Sequence, residues 1–333
     1  MKARCNMPQL HRLILHPLTG KVFLCVLGSA YLVYVVAFAR FLFAFPFLST
    51  PGATIIEHQV ETNPDFVVKH WTTANMRDAA DADQQANPAS GLTQESSQSA
   101  GKAAQQQGTP ARDEKLSYPL STVGKVFLTN ASGQNLSCSG TAVVSSNHSV
   151  VDTAGHCLYW QGSWMRNVVF CPLYDNGTTP YGCWAARDLE VPSDWIDAGP
   201  NDLHHDFGMF IVAANSEGNL TDVVGGVGWA YNQPTNATFY AYGYPAGYPF
   251  DGQTRRSCPG STGTAWQHGG GTVVSIPCDM TGGSSGGPWF IQINGKWYLN
   301  GHNDFTSSMQ RDHMFSPYYD DTWYALYNKA QQT

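Results

Sequence analysis

Residues 116–333 consist of short apolar runs separated by turns rich in glycine and proline, and this spacing limits the possible folds more than any other feature. Runs of this length suit β-strands, and Asn294-Gly295 between the last two is typical of a hairpin turn. The runs are Lys125–Leu128, Gly140–Val144, Asn167–Phe170, Gly208–Ala213, Thr238–Tyr242, Gly271–Ile276, Trp289–Ile293 and Trp297–Leu299. They predict one all-β domain, a barrel or a sandwich, and the composition of 321–329 predicts a terminal helix.

Residues 1–50 have the composition of a targeting segment. Basic residues precede an uncharged apolar run, Val22–Ala39, which is about as long as a helix that spans a bilayer. Two interpretations remain open: a signal peptide cut after Ala39, or an uncleaved signal anchor with a cytoplasmic N-terminus. In both, the rest of the chain is secreted or lies on the extracytoplasmic side, and any membrane contact is made through this segment.

Residues 51–115 are predicted to be a pro-region or a disordered linker. Apolar side chains such as Phe66 and Trp71 occur before residue 77, but Leu92 is almost alone in 77–115, among Ala, Gln, Ser, Asp and Gly. Such a composition buries too little apolar surface to offset the entropy of ordering the chain. We therefore expect 77–115 to be disordered.

Two short motifs in the β domain carry chemistry. Thr153–Cys157 places His156 after an apolar run, and Gly282–Pro288 places Ser285 in a glycine-rich turn. A serine hydroxyl becomes a good nucleophile when a base takes its proton, and histidine is the usual base. Glycines let backbone N–H groups face the oxyanion of a tetrahedral intermediate. The two motifs together predict nucleophilic catalysis by Ser285 with His156 as the base.

A catalytic histidine also needs an acid that fixes its tautomer. Asp206 is the preferred candidate because a buried-strand pattern, Phe207–Val212, follows it directly, and Asp202 is the alternative. His204, His205 and Asp206 offer the ligand types of a metal site. However, adjacent side chains on an extended segment point to opposite sides, so we expect no metal there.

These motifs resemble those of the chymotrypsin/trypsin-fold serine peptidases, and most of all the secreted bacterial and fungal trypsin-like peptidases. The resemblance covers roughly residues 118–330, with a weaker match ahead of them at residues 69–77. It extends through Ser121–Phe127, Cys138–Thr141 and Tyr242–Pro245.

The resemblance implies an all-β fold of two six-stranded antiparallel barrels with a short C-terminal helix. It also implies a triad of His156, Asp206 and Ser285, and an oxyanion site made by the N–H groups of Gly283 and Ser285. The reaction would need no cofactor, and we expect a monomer that acts on a peptide or protein substrate.

Six cysteines lie in the β domain, and an even number in a secreted chain predicts disulfides. Six cysteines allow fifteen pairings, so their number alone does not select one. The resemblance implies Cys138–Cys157, and proximity in sequence then favours Cys171–Cys183 and Cys258–Cys278.

Surface features agree with an extracytoplasmic enzyme. Six N-glycosylation sequons lie in the β domain, and a net charge of −7 without a basic patch gives no support for nucleic-acid binding. The sequons begin at Asn130, Asn135, Asn147, Asn176, Asn219 and Asn236.

Two residues are candidates for the specificity pocket. Asp279 lies six positions before Ser285, where trypsin-like enzymes carry the residue at the base of the pocket, and a carboxylate there would bind Arg or Lys. The surrounding pattern also resembles glutamyl endopeptidases, in which a histidine recognises an acidic residue, and His302 is the candidate for that role. A neutral or broad pocket is the third interpretation.

The predicted function is therefore a serine endopeptidase with an acyl-enzyme intermediate. One alternative is an inactive, protease-like binding protein. Another is a membrane-tethered interaction protein that functions through residues 77–115. An α/β-hydrolase is disfavoured because its acid and histidine follow the serine in sequence.

Overall fold

The computed structural model describes residues 53–85, 117–268, 271–307 and 310–333, which belong to one unit, Pro51–Thr333. Strands prevail in this part of the chain. They are β1 Ile55–Gln59, β2 Ala80–Asp81, β3 Val123–Thr129, β4 Asn135–Ala142, β5 Val150–Ala154, β6 Tyr159–Trp160, β7 Ser163–Trp164, β8 Arg166–Pro172, β9 Trp184–Pro192, β10 Phe207–Val212, β11 Gly228–Trp229, β12 Thr238–Gly243, β13 Arg256–Thr262, β14 Thr264–His268, β15 Gly271–Pro277, β16 Pro288–Ile293, β17 Lys296–His302, β18 Phe305–Ser307 and β19 Gln310–Pro317. The α-helices are α1 Pro64–His70, α2 Thr73–Asp78, α3 Ser193–Ala198, α4 Leu220–Val224 and α5 Asp321–Ala330.

The first half of the β domain is a closed antiparallel barrel. Its strands run in the order β9-β10-β5-β4-β3-β8, and β8 pairs with β9 to close the ring. Large side chains such as Phe170, Trp184 and Phe210 fill the interior and are fully buried. β8 pairs only with the start of β9, at Trp184 and Ala185, so the rest of β9 keeps an edge that can accept another strand.

The second half contains two sheets. One has the order β11-β17-β16-β12-β13, and the other has the order β14-β15-β19-β18. Phe239, Ile276 and Trp289 lie in the buried cluster of this half. The fold class predicted from the resemblance is therefore confirmed, with the second group of strands divided between two sheets.

Helix α5 ends the chain, as predicted. The Asp320 carboxylate caps it by accepting the N–H groups of Thr322 and Trp323. Trp323 and Leu326 are fully buried, and the Trp323 indole donates to Asp152 Oδ1 over 2.8 Å. Because Asp152 lies on β5, this contact joins the helix to the first barrel.

Residues 53–85, called here the N-terminal segment, pack on the first barrel. β1 adds to the outer edge of β9 as an antiparallel strand. Trp71 is buried and donates its indole N–H to the Asn167 carbonyl over 2.6 Å. Residues 77–85 include the end of α2, β2 and the 3₁₀ turn Ala82–Gln85, so the expected disorder is wrong for them. Contacts with the barrel supply the stability that their composition lacks.

The expected targeting segment, residues 1–50, and residues 86–115 of the expected pro-region or linker lie outside the described residues. In the part of the chain that the structure describes, no helix is long and apolar enough to cross a membrane.

The three expected disulfides are confirmed as Cys138–Cys157, Cys171–Cys183 and Cys258–Cys278. The sequon asparagines differ in accessibility: Asn176, Asn219 and Asn236 are exposed. Asn130 is buried and its side-chain oxygen accepts from Ser132, so the expectation of a glycan there does not fit the structure. Asn135 and Asn147 are half-buried.

Candidate active site

Two neighbouring strands bring a histidine and an aspartate to the same end of the first barrel. β5 ends at Ala154 and β10 begins at Phe207, and these residues are partners in the antiparallel register. His156 follows β5 in a 3₁₀ turn, and Asp206 directly precedes β10. The side chains therefore meet although they are 50 positions apart in sequence.

Two hydrogen bonds fix the orientation of the imidazole. Asp206 Oδ2 lies 2.7 Å from His156 Nδ1, and Asp206 Oδ1 accepts the backbone N–H of His156 over 2.7 Å. A carboxylate at Nδ1 holds the proton on that nitrogen and leaves Nε2 to act as a base. This is the acid–base arrangement that the sequence predicted for Asp206.

The electrostatics of this pair favour charge on both partners. Burial alone would lower the pKa of His156, but the carboxylates of Asp206 and Asp83 outweigh it and raise this pKa well above its ordinary value. Burial would raise the pKa of Asp206, but the charge and hydrogen bonds of His156 lower it. The two carboxylates that face the imidazole therefore favour its protonated form.

Ser285 lies in a glycine-rich turn that is anchored to β4. The Ser139 hydroxyl donates to the Gly283 carbonyl over 3.0 Å, and the Ser139 N–H donates to the Ser285 carbonyl over 2.7 Å. Gly283 has a φ of 89°, which glycine adopts without strain. Among the described residues, no hydrogen bond takes up the N–H groups of Gly283 and Ser285, the two expected oxyanion donors.

A residue that the sequence did not identify lies between Ser285, the candidate nucleophile, and His156, the candidate base. The Ser285 hydroxyl lies 3.0 and 3.2 Å from the two carboxylate oxygens of Asp83. Asp83 Oδ1 also lies 3.1 Å from His156 Nε2. Since one oxygen of Asp83 contacts both groups, this carboxylate occupies the place where the serine hydroxyl and the imidazole would meet.

A second unforeseen acid, Asp304, lies on the other side of the imidazole. Its side chain is 1% exposed, and its Oδ1 is 3.7 Å from His156 Nδ1. Burial and the charge of Asp206 raise the pKa of Asp304 well above its ordinary value, and one oxygen of each carboxyl lies within 4.8 Å of the other. The Ser285 hydroxyl also lies 3.3 Å from the Asp304 carbonyl.

Asp202, the alternative acid, is engaged elsewhere. Its Oδ1 is 2.6 Å from His204 Nδ1, and its Oδ2 is 2.9 Å from His205 Nδ1. These three side chains are close enough together to hold a metal ion, whereas Asp206 turns toward His156. His204, His205 and Asp206 therefore do not form one cluster, in line with the expectation from the extended chain.

The two expected specificity residues have different environments. Asp279 is exposed at the surface. His302 is fully buried, with Nδ1 2.9 Å from the Tyr319 hydroxyl and Nε2 3.1 Å from the Asp206 carbonyl. Both ring nitrogens of His302 are thus occupied behind the catalytic pair, so the predicted role of His302 as a substrate ligand does not fit the structure.

Both unforeseen acids had weak sequence signals. Asp83 stands in a polar stretch with no motif around it, and its contacts with Ser285 span 202 positions. Asp304 offered one clue, because it lies two positions after β17, whose last four residues are buried, and a buried carboxylate is unusual unless it has a partner.

Solved structures resemble this chain over the β domain. The protease Anisep from Arthrobacter nicotinovorans is 36% identical with a TM-score of 0.60, over 65% of this chain and 98% of its own. The thermostable serine protease AL20 from an extremophilic microorganism is 38% identical with a TM-score of 0.58, over 64% of this chain and 98% of its own.

A third structure, a Glu endopeptidase in complex with MPD, is 19% identical with a TM-score of 0.54. It covers 68% of this chain and 97% of its own, and at this identity it supports the fold alone. A scan of protein-family models finds no match, and a search of curated proteins also finds none.

Proposed function

The chain belongs to the chymotrypsin/trypsin-fold serine peptidases, and from this premise we propose that it is a serine endopeptidase that acts outside the cytoplasm. The main support is the 2.7 Å contact between His156 Nδ1 and Asp206 Oδ2, at a cleft that also holds Ser285. This contact gives the imidazole the orientation that a general base requires.

The reaction follows from these three side chains. Once Asp83 is out of the cleft, the Ser285 oxygen attacks a peptide carbonyl while His156 Nε2 takes the hydroxyl proton. The imidazolium is stabilised by Asp206 and returns the proton to the leaving amine. The N–H groups of Gly283 and Ser285 stabilise the oxyanion, and water then hydrolyses the acyl-enzyme in the same way.

The proposed location rests on cysteine chemistry and on the apolar N-terminal sequence. Three disulfides are stable in an oxidising compartment, and the run Val22–Ala39 suits a signal peptide or a signal anchor. Exposed Asn176, Asn219 and Asn236 are then the accessible glycosylation sites.

Two activated forms test the function. One is the Asp83→Ala chain, and the other is a full-length chain cleaved at a specific protease site inserted within residues 95–105. A fluorophosphonate probe is expected to label Ser285 in at least one form, and that form is expected to cleave peptides. The Ser285→Ala and His156→Ala versions of the same form serve as controls and are expected to lose hydrolysis.

An inactive, protease-like binding protein is the competing function. It predicts that neither activated form reacts with the probe or cleaves a peptide library, although circular dichroism shows a folded chain. Hydrolysis that survives Ser285→Ala would instead contradict the assignment of the nucleophile.

A further inference from the structure

The N-terminal segment binds the β domain at several places ahead of the active site. β1 pairs with β9, and helix α1 places Val67 in one buried cluster with Phe127 and Val169 of the barrel. Trp71 lies in the same cluster and contacts the Phe127 ring at a centroid distance of 5.2 Å. These contacts make a surface of the barrel complementary to this stretch of the same chain.

From this attachment the segment runs into the active site. β2 pairs in parallel with Leu136 and Ser137 of β4, the strand that also anchors the serine turn through Ser139. Ala82, the next residue, is buried in the core of the first barrel. The following turn lies against the catalytic loop, since a Cβ added to Gly282 would lie 2.9 Å from an oxygen of Asp83.

The contact made by Asp83 is that of an inhibitor. A substrate offers a carbonyl carbon to Ser285, whereas the segment offers a carboxylate that accepts the serine hydroxyl. The same carboxylate faces His156 Nε2 and favours the imidazolium, which cannot take a proton from serine. Both the nucleophile and the base are therefore blocked by one side chain.

Given the proposed peptidase function, we propose that this cleft and the edge of β9 bind the chain's own residues 53–85 as an inhibitor, with Asp83 as the blocking group. Release then requires more than a cut in the linker, because β1, Trp71 and β2 hold the segment independently of the chain connection. A segment that stays bound after cleavage would keep the enzyme latent until it dissociates or is degraded.

The first test compares labelling rates of Ser285 by a fluorophosphonate in uncleaved, full-length chains. Asp83→Ala is expected to label about 10- to 100-fold faster than wild type, the effect of losing charge-assisted hydrogen bonds. Asp65→Ala removes an exposed carboxylate from the same segment and is expected to match wild type. Asp83→Asn keeps the shape but loses the charge, so an intermediate rate is expected.

The second test weakens the attachment and leaves Asp83 in place. Trp71→Ala is expected to label faster than wild type, since the segment then leaves the cleft more often. Wild-type labelling as fast as that of Asp83→Ala would overturn the inhibitor and leave the peptidase function intact. No labelling of any variant or of the cleaved chain would instead overturn the peptidase function.

A separate observation concerns Asp304, between β17 and β18. One oxygen of its carboxyl lies within 4.8 Å of an oxygen of the Asp206 carboxyl, and its Oδ2 is buried without a partner among the described residues. Two buried carboxyls this close together favour one proton between them, because two anions would repel each other in a region of low dielectric. Asp206 faces the imidazole at 2.7 Å and so carries the charge, which leaves the proton on Asp304.

We infer that Asp304 is a positioning residue that donates a hydrogen bond to Asp206 and so holds the catalytic carboxylate against His156. The charged groups around it are His156, Asp206 and Asp83. Asp304→Asn keeps a neutral donor of the same shape, whereas Asp304→Ala removes the donor.

The test measures the pH profile of kcat/KM in the most active of the forms described above. The kcat/KM of Asp304→Asn is expected to stay within about threefold of that of its parent, and the acid limb of its pH profile is expected at the same pH. The kcat of Asp304→Ala is expected to fall at least about tenfold. An acid limb that moves to lower pH in Asp304→Asn would show that a negative charge has been removed beside His156. That result would overturn the neutral, donating Asp304.

Discussion

At the scale of single residues, the site is governed by carboxylates that surround one imidazole. In the proposed mechanism Asp206 orients His156, Asp83 blocks it, and Asp304 supports Asp206. The sequence was sufficient to predict the first of these roles, because a strand pattern directly followed the acid. The other two depend on contacts between distant parts of the chain, which no local pattern encodes.

The choice between the two candidate acids can be tested directly. Asp206→Asn is expected to lower kcat by about three to four orders of magnitude, because the amide cannot stabilise the imidazolium and favours the wrong tautomer. Asp202→Asn is expected to change kcat little, since Asp202 contacts His204 and His205. Steady-state kinetics of both variants in an activated form would identify the acid that orients His156. The reverse pattern would assign this role to Asp202.

The position of Asp279 leads to a second expectation. Because Asp279 is exposed, Asp279→Ser is expected to leave the ratio of kcat/KM for Arg and Glu reporter peptides unchanged. The sequence analysis assigned Asp279 to the specificity pocket because of its offset from Ser285. Such an offset does not determine the direction in which the side chain points. A clear loss of Arg cleavage in Asp279→Ser would restore the basic pocket.

At the scale of elements, turns and strand ends position the chemistry. β5 and β10 deliver His156 and Asp206, and a turn anchored on β4 delivers Ser285. Short apolar runs were enough to predict eight of the nineteen strands in the part of the chain that the structure describes, β4 and β10 among them. Helices α1 and α2 escaped prediction, since they have only 7 and 6 residues and are stabilised by packing on the barrel rather than by their own propensity.

We expect the serine turn to form without a new N-terminus. Ser284 directly precedes the nucleophile and is buried, and its hydroxyl donates to the Thr281 carbonyl over 2.8 Å. A serine cannot form the ion pair that an inserted α-amino group requires. Chains cleaved near residue 90 and near residue 112 are therefore expected to have equal kcat after the segment is removed. Activity that appears only after trimming to one particular N-terminus would contradict this expectation.

At the scale of the whole molecule, contacts between distant parts of the chain join the two halves of the β domain. Lys125 of β3 is fully buried and donates to the Gly252 carbonyl over 2.8 Å, and its ammonium lies over the rings of Phe127 and Tyr174. The contact joins the first barrel to the loop that follows β12. The overall fold was predictable because the motifs identify a family, whereas such contacts between the halves were not.

The buried lysine gives the stability a defined pH dependence. Burial lowers the pKa of Lys125 to about 7, so the folded chain binds fewer protons than the unfolded chain between about pH 7 and the ordinary lysine value. The free energy of unfolding therefore rises with pH across that window. The destabilisation caused by burying the charged ammonium is greatest below pH 7. Lys125→Met is expected to raise the free energy of unfolding relative to wild type, and this increase is expected to be about 2 kcal/mol larger at pH 6 than at pH 9.

Urea unfolding at the two pH values measures this difference. Lys296→Met, which replaces an exposed lysine, is the control and is expected to show no such change. Equal effects of Lys125→Met at both pH values would show that the buried amine keeps its ordinary pKa.

The most direct measurement is the reaction of Ser285 with a fluorophosphonate in the full-length chain. The combined predictions are slow labelling of wild type, fast labelling of Asp83→Ala, and none when Ser285→Ala is added to that variant. Peptide hydrolysis is expected to follow the same order. A folded Asp83→Ala chain that neither labels at Ser285 nor cleaves any peptide of a library, with the same result after cleavage in the linker, would contradict the assignment of this chain as a latent serine endopeptidase.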